Sequence, residues 1–230
     1  MNSETKPVSD KMAEELRRIY KRRFDVLTDY RLRVWERLCR NFFQAMIPPN
    51  AFVLDLGCGY GQFINRIKAE KKYGMDLNPT AVTYLDPDVS FLQQDCSLEW
   101  GLPANHLDIV FTSNFFEHLL SRARLHACIE QAARHLKPGG AVIAMGPNIR
   151  VLHGHYWDFI DHSLALTDLS MQELFELHGL QVTRRHKKFL PYRMTHSQPP
   201  LWTVDLYVKS ALFWRLFGKQ FLVVARKPAS

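Results

Sequence analysis

Val53-Leu54-Asp55-Leu56-Gly57-Cys58-Gly59-Tyr60-Gly61 is the stretch that decides the fold. A short apolar run carrying one carboxylate reads as a buried strand, and the three alternate glycines that end it read as a tight turn leading into a helix. Glycine there permits positive φ and lets a ligand approach the backbone closely at the strand's carboxyl end. Downstream the same rhythm repeats. The pattern predicts a helix over Gln62 to Ala69, a strand over Lys72 to Met75, a short helix near Pro79 to Tyr84 and a strand over Val89 to Gln93. A strand over Leu107 to Ser113, a helix over Arg122 to Leu136, the turn Lys137-Pro138-Gly139-Gly140 and a strand over Ala141 to Met145 follow. Five strands alternating with helices make a parallel, doubly wound α/β sheet.

Upstream, apolar residues fall at helical spacing from Ser9 to about Phe43, predicting two helices that Ile47-Pro48-Pro49-Asn50 brings to an end. Beyond the fifth strand, residues 148 to 167 (NIRVLHGHYWDFIDHSLALT) form a loop longer than most strand-to-helix connections, and such loops are usually functional. Ser170 and Glu173 suggest a capping box, with a helix over Met171 to His178 closing at Gly179. Leu180 to Thr183 opens a further strand. Phe189 to Pro200 reads as a loop, Asp205 to Phe217 as an amphipathic helix and Gln220 to Ala225 as a last strand.

At 230 residues, with 47% apolar and 23% charged residues and a mean hydropathy of -0.22, the chain is long enough for one globular domain with an appended cap. Cys39, Cys58, Cys96 and Cys128 lie too far apart for a zinc knuckle or a dense secreted framework, so they are expected to be reduced and the protein cytoplasmic. The polar N-terminus does not read as a signal peptide and no apolar run is long enough to span a membrane, so neither secretion nor membrane spanning is expected. Net charge is +7 but uneven: +4 over residues 1 to 50, −6 over 51 to 180 and +9 over 181 to 230. A basic terminal segment can attract nucleic acid, anionic lipid or a phosphorylated substrate.

The glycine turn alone is weak evidence of a ligand. It is sharpened by Asp76, which ends the next predicted strand 21 residues after Asp55, where an acid can accept bonds from both ribose hydroxyls of an adenosine. NAD and S-adenosylmethionine both fit so far. Two details favour the second. The spacing is not G-x-G-x-x-G, since position 62 is Gln, and Asp55 beside the glycines would repel a pyrophosphate yet suit an ammonium.

On these residues the chain resembles the class I S-adenosylmethionine-dependent methyltransferases. VLDLGCGYG is similar to their glycine-rich first motif and YGMDLNP to their ribose-binding segment. FLQQDCSLEWGLP resembles their adenine-contacting segment, LDIVFTSNFFEHL their fourth strand and LKPGGAVIAMGPN their fifth. The resemblance implies S-adenosylmethionine as cofactor and a Rossmann-like sheet of seven strands in the order 3-2-1-4-5-7-6, the last antiparallel. It implies that Asp55, Gly57 and Gly59 hold the methionyl part, Asp76 the ribose and Asp95 the adenine amino group. Cys96 would meet the adenine ring through its backbone and Asn114 the amino-acid end through its carbonyl, with Cys58 and Leu77 standing in the same motifs. One domain over 1-230 is expected: a helical cap (1-50), a cofactor-binding core (51-147), and an acceptor loop, helices and final strand pair (148-230). More loosely, YWDFIDHS, FLPYRM and FGKQFLVVARKP look like methyltransferases found with bacterial glycosyltransferases and other small-molecule pathways. That implies a small-molecule acceptor, sugar-type or lipid-linked, methylated on a hydroxyl. Methylation of nitrogen or carbon, a nucleic-acid methyltransferase and a non-catalytic adenosyl-binding module are the alternatives. Against nucleic acid, Ser113-Asn114-Phe115-Phe116 lacks the Asn/Asp-Pro-Pro-aromatic arrangement that resembles amino methylation of bases.

Methyl transfer from a sulfonium chiefly needs alignment, and a base helps when the acceptor is a hydroxyl. The expected base is His162, oriented by Asp161 or Asp158, with His155 second; His118, just past the fourth strand, is a further candidate, and His153 and Tyr156 lie nearby. His153-Gly154-His155 with Asp158 is too incomplete a ligand set for a metal, so none is expected. Tyr20, Arg31 and Trp35 on the N-terminal helices could form a lid over the cofactor, or simply be core. Val204 to Phe217 could lie on a membrane surface, though packing on the sheet is the expectation.

Overall fold

The computed structural model describes residues 28–192 and 198–229. Its elements in chain order are α1 (Thr28–Asn41), β1 (Phe52–Leu56), β2 (Lys71–Asp76), β3 (Val89–Gln93), β4 (Leu107–Ser113), α2 (Arg122–His135) and β5 (Leu136–Pro147). After these come α3 (Ile149–Leu152), α4 (Asp168–Leu177), β6 (Gln181–His186), α5 (Trp202–Lys209), α6 (Ala211–Phe217) and β7 (Gln220–Arg226). The strands form one seven-stranded sheet in the order β3-β2-β1-β4-β5-β7-β6, parallel except for β7, which runs antiparallel to both β5 and β6.

The central strands are apolar at successive positions because both faces are covered. Leu54, Leu56, Val110, Val142 and Ala144 pack with Leu125 and Ile129 of α2 and with Met171 and Phe175 of α4. Val53, Ile109, Phe111 and Ile143 pack on the other face with Val34, Trp35 and Leu38 of α1 and Val208 of α5. The sheet's carboxyl edge is thus framed by rigid elements, and the loops leaving β1, β2, β4 and β5 gather there.

Several boundaries differ from the sequence expectation. Over Gln62 to Ala69 there is no α-helix, only a 3-10 turn at Ile64–Arg66. The crossover from Leu56 to Lys71 is short, Gly61 takes φ +64°, and Ile67 returns to extended backbone. Asn65 ties the turn sideways, donating to the Tyr84 carbonyl at 2.7 Å and accepting from the Asp86 amide at 3.1 Å. Pro79–Tyr84 is likewise a 3-10 turn, capped by Asn78. At α4 the capping box is Thr167 with Ser170, three residues before the expected start, so the helix opens at Asp168. The expected helix over Asp205 to Phe217 is broken at Ser210 into α5 and α6. Trp35 is 7% exposed and packs on Phe43 and Phe111, so it belongs to the core and not to a lid. The first expected helix, with Tyr20, lies outside the described residues. All four cysteines are free thiols and buried. Among the described residues no helix is long and apolar enough to cross a membrane.

Candidate active site

The glycine turn after β1 is held to β2 by its own backbone: the Gly57 and Cys58 amides both donate to the Met75 carbonyl, at 2.9 and 3.0 Å. Gly57, Gly59 and Gly61 have φ of +72°, +49° and +64°, the left-handed region that favours glycine. A Cβ on Gly57 would collide with the Phe115 ring, which lies directly on the turn. The Cys58 thiol packs under Gly74, so its side chain supports the turn from below. Asp55 and Asp76, 4% and 9% exposed, flank this turn. Asp76 accepts the Gly59 amide at 2.9 Å and the Asn78 amide at 2.8 Å, one on each carboxylate oxygen. Burial pushes the Asp55 carboxyl up to about 8, helped by the charge of Asp76 and opposed by the Ile64 amide. Burial also pushes Asp76 up, against the amides of Asn78, Gly59 and Leu77. Two buried acids beside a backbone cradle fit a ligand that carries positive charge and hydroxyl groups.

The remaining cofactor candidates lie along the same edge. Leu77, directly after Asp76, is an exposed apolar side chain at 42%. Asp95 is anchored by the Ser97 amide and hydroxyl and by Arg124 at 3.0 Å, which makes it a fixed acceptor. Cys96 is buried and its carbonyl takes the Trp100 indole at 2.9 Å. Asn114 is exposed with φ +50°, and its amide donates to the Met145 carbonyl at 2.9 Å. Arg31 sits in the first turn of α1, half-buried.

The second half of the site is assembled from β4's end and the loop after β5. Asn148 and Asp168, at the two ends of that loop, are joined at 2.9 Å, and Ile149 pairs with Leu166 at 3.1 Å. Inside the loop the fully buried Tyr156 bridges the Leu164 carbonyl and the Leu166 amide. The Ser163 and Leu164 amides donate to the Glu117 carbonyl at 2.8 and 3.1 Å, locking the loop to the end of β4. These ties bring His162 beside His118, ring centroids 5.1 Å apart.

His118 Nδ1 lies 3.1 Å from both the carbonyl and the carboxylate of Asp161, and Nε2 lies 3.7 Å from the Glu117 carboxylate. Burial pushes the His118 imidazole down, but the Asp161 bond and the charges of Glu117 and Asp161 win, and its pKa is raised. The ring of His162, 8% exposed, is enclosed by Tyr156, Phe159 and Tyr192, whose hydroxyl is 3.4 Å from Nε2. Of the two acids expected beside His162, Asp161 meets His118 and Asp158 meets His155. His155 is 80% exposed at its side chain, so the second expected base stands in solvent. Glu117 and Tyr192, which the sequence reading did not single out, belong to the cluster; the Glu-His pair after the fourth strand was the available signal. A cavity of about 630 Å³, lined in part by Gln44, Pro48, Ile109, Ala141 and Arg226, lies at the amino end of the parallel strands, away from these groups.

The order and pairing of the strands, the glycine turn at the carboxyl end of β1 and the acid at the end of β2 define a class I methyltransferase fold. Residues 53–140 match the methyltransferase domain family. Solved structures similar over most of the chain include the Trm112-bound putative methyltransferase of Haloferax volcanii, at 22% identity and TM-score 0.61, covering 86% of this chain and 97% of that one. An S-adenosylmethionine-dependent methyltransferase from Archaeoglobus fulgidus aligns at 20% identity and TM-score 0.61, covering 86% and 94%. The [4+2]-cyclase SpnF aligns at 18% and 0.62, covering 85% and 81%. No curated protein sequence matches the chain. The matched domain over residues 53–140 and the fold are those of the S-adenosylmethionine-dependent methyltransferases, whose cofactor is S-adenosylmethionine.

Proposed function

We propose that this methyltransferase acts on a hydroxyl of a small, sugar-type acceptor seated against Glu117, His118, Asp161 and His162. The observation that carries the reading is the convergence of these four side chains, from two separate segments, at the edge that also holds the glycine turn. Ligands of open α/β sheets bind at that edge. Phe115 links the halves, since it rests on Gly57 and stands two residues before Glu117.

The cofactor supplies an electrophilic methyl on a positively charged sulfur. Asp55 and the backbone of Gly57 and Gly59 would hold its methionyl end, Asp76 would accept from its ribose hydroxyls, and Asp95 and Cys96 would meet its adenine. The cofactor would give up its methyl to the acceptor oxygen, with the C–S electron pair left on sulfur, and the cluster would hold that oxygen in line and take its proton. Holding the two reactants in line is worth up to about 7–11 kcal/mol, so the protein's main task is alignment. The likeness of YWDFIDHS and FLPYRM to methyltransferases that accompany glycosyltransferases supports a sugar-type acceptor, free or lipid-linked.

The test is a mass-spectrometric screen of sugars and glycosides beside matched amines and thiols, with wild type and His162→Ala. Methylation of a hydroxyl that His162→Ala abolishes, while affinity for S-adenosylhomocysteine holds, is expected. Turnover of amines alone, or full activity in His162→Ala, overturns the reading.

A further inference from the structure

The His118 imidazole has only one orientation of its hydrogen that fits its surroundings. Nδ1 faces the Asp161 carbonyl at 3.1 Å, and a carbonyl can only accept, so in the neutral ring Nδ1 carries the hydrogen. Nε2 then faces the Glu117 carboxylate at 3.7 Å, beyond hydrogen-bond distance and open to an ion held between the two. His162 brings a third donor: one ligand atom each from Glu117, His118 and His162 lie within 4.8 Å of one another. The carboxylate of Glu117 is 2% exposed and His162 8%, so this is an interior arrangement and not a solvated acidic patch. Three side chains that can each offer an electron pair thus converge in a buried space at the spacing of a metal-ligand set.

We propose that Glu117, His118 and His162 bind one divalent transition-metal ion. Two imidazoles and one carboxylate suit zinc, manganese or iron and not calcium, which takes oxygen ligands. Asp161 completes the site from behind, since a ligating histidine that donates its other nitrogen to a carboxylate or carbonyl is held in the required tautomer. The Ser163 and Leu164 amides on the Glu117 carbonyl fix the loop so that the third ligand stays in place. This departs from the sequence expectation of no metal, which rested on His153, His155 and Asp158; His155 stands 80% exposed and is turned toward Asp158 instead. Three protein ligands leave positions open on a five- or six-coordinate ion. The inference therefore rests on, and deepens, the placement of the acceptor at this cluster: the ion favours an acceptor with two neighbouring oxygens, as in a sugar diol, and eases loss of the hydroxyl proton.

The experiment strips the full-length protein with a chelator and titrates it calorimetrically with zinc chloride or manganese chloride alone, without acceptor. One equivalent per chain is expected, weakened at least about tenfold in Glu117→Gln and in His162→Ala, and about 10–100-fold in Asp161→Asn. His126→Ala serves as control, because His126 and His178 form an exposed pair at 3.2 Å that could take up a surface ion. Binding that survives both Glu117→Gln and His162→Ala, binding lost only in His126→Ala, or no binding at all, overturns the site. S-adenosylhomocysteine titration of each variant shows that it is folded, and the visible spectrum of the cobalt-loaded wild type reads nitrogen and oxygen ligation if the variants do not fold; a spectrum of fully hydrated cobalt also overturns the site. The two readings fail differently. An ion that binds to a protein methylating only amines preserves the metal site and refutes the hydroxyl acceptor. A stripped protein that binds no ion yet methylates hydroxyls at full rate refutes the metal and preserves the acceptor.

Discussion

Asp76→Asn separates a structural acid from a cofactor-binding one. Asp76 spends one oxygen on the Gly59 amide at 2.9 Å and the other on the Asn78 amide at 2.8 Å. Asparagine has a single acceptor oxygen, so whichever way the amide turns, one of those N–H groups meets an NH2. A hydrogen bond to a charged group is worth about 1.5–3 kcal/mol, and leaving a buried donor unmet costs about 1–3 kcal/mol. Part of that is returned, because burial disfavours the Asp76 carboxylate and the amide carries no charge to desolvate. The expected loss of stability is therefore about 1 kcal/mol, or about 2–4 °C in Tm for a chain of this size. Cofactor binding has no such compensation. It loses the charged acceptor for the ribose and the strut that holds Gly59 at φ +49°, together about 3 kcal/mol, which is roughly a hundredfold in Kd. Calorimetric titration with S-adenosylhomocysteine beside a thermal melt measures both. An affinity within threefold of wild type refutes the placement of the ribose on Asp76, and a fall in Tm well beyond about 4 °C refutes the compensation argument.

Asp55 makes cofactor affinity depend on pH. Its folded pKa of about 8 lies above the unfolded value of about 3.9, so the folded chain holds an extra proton between them and stability falls as pH rises across that window. A cationic ligand favours the carboxylate and expels that proton. Affinity should rise with pH up to about 8, with proton release seen by calorimetry in buffers of different ionisation heat; a flat profile, or one unchanged in Asp55→Asn, contradicts it. Asp168 works in the opposite sense. Burial raises its carboxyl, but Asn148, Arg185 and Arg150 outweigh this and hold it low, so its contribution is present above about pH 4 and is lost as pH falls through the folded pKa. Asp168→Asn should cost about 2–3 kcal/mol at neutral pH, toward the low end for a buried pair because both arginines are over a third exposed, and should flatten the acid limb of the stability curve. Urea melts at pH 7 and pH 4 read both; a variant as stable as wild type at pH 7 would show that the loop ends need no such tie.

By itself, the sequence determined the alternation of strands and helices, the glycine turn and the acids that flank it. Each of these rests on a short-range cause: the two-residue period of a strand, the left-handed φ at 57, 59 and 61, and a carboxylate at the end of a strand. The strand limits of β3 and β4 agree with the expectation to the residue for the same reason. Where local signals competed, the tertiary structure decided. Gln62 to Ala69 has helical composition, but a short crossover and the Asn65 ties leave room for only one 3-10 turn. Thr167 outcompetes Ser170 as cap because Asp168 must reach Asn148 and two arginines. The cluster proposed to seat the acceptor was half legible. The histidines and acids of the loop stood out, but their partners did not, since Asp161 meets His118 across 43 residues of chain. Spacing along the chain cannot tell which of two adjacent side chains faces inward once a loop folds back on a strand. That choice was made by the Glu117 carbonyl, which takes the Ser163 and Leu164 amides and so sets the loop's register on β4. The sheet follows from residues near one another in sequence, whereas the site follows from backbone hydrogen bonds that exist only after the sheet has formed.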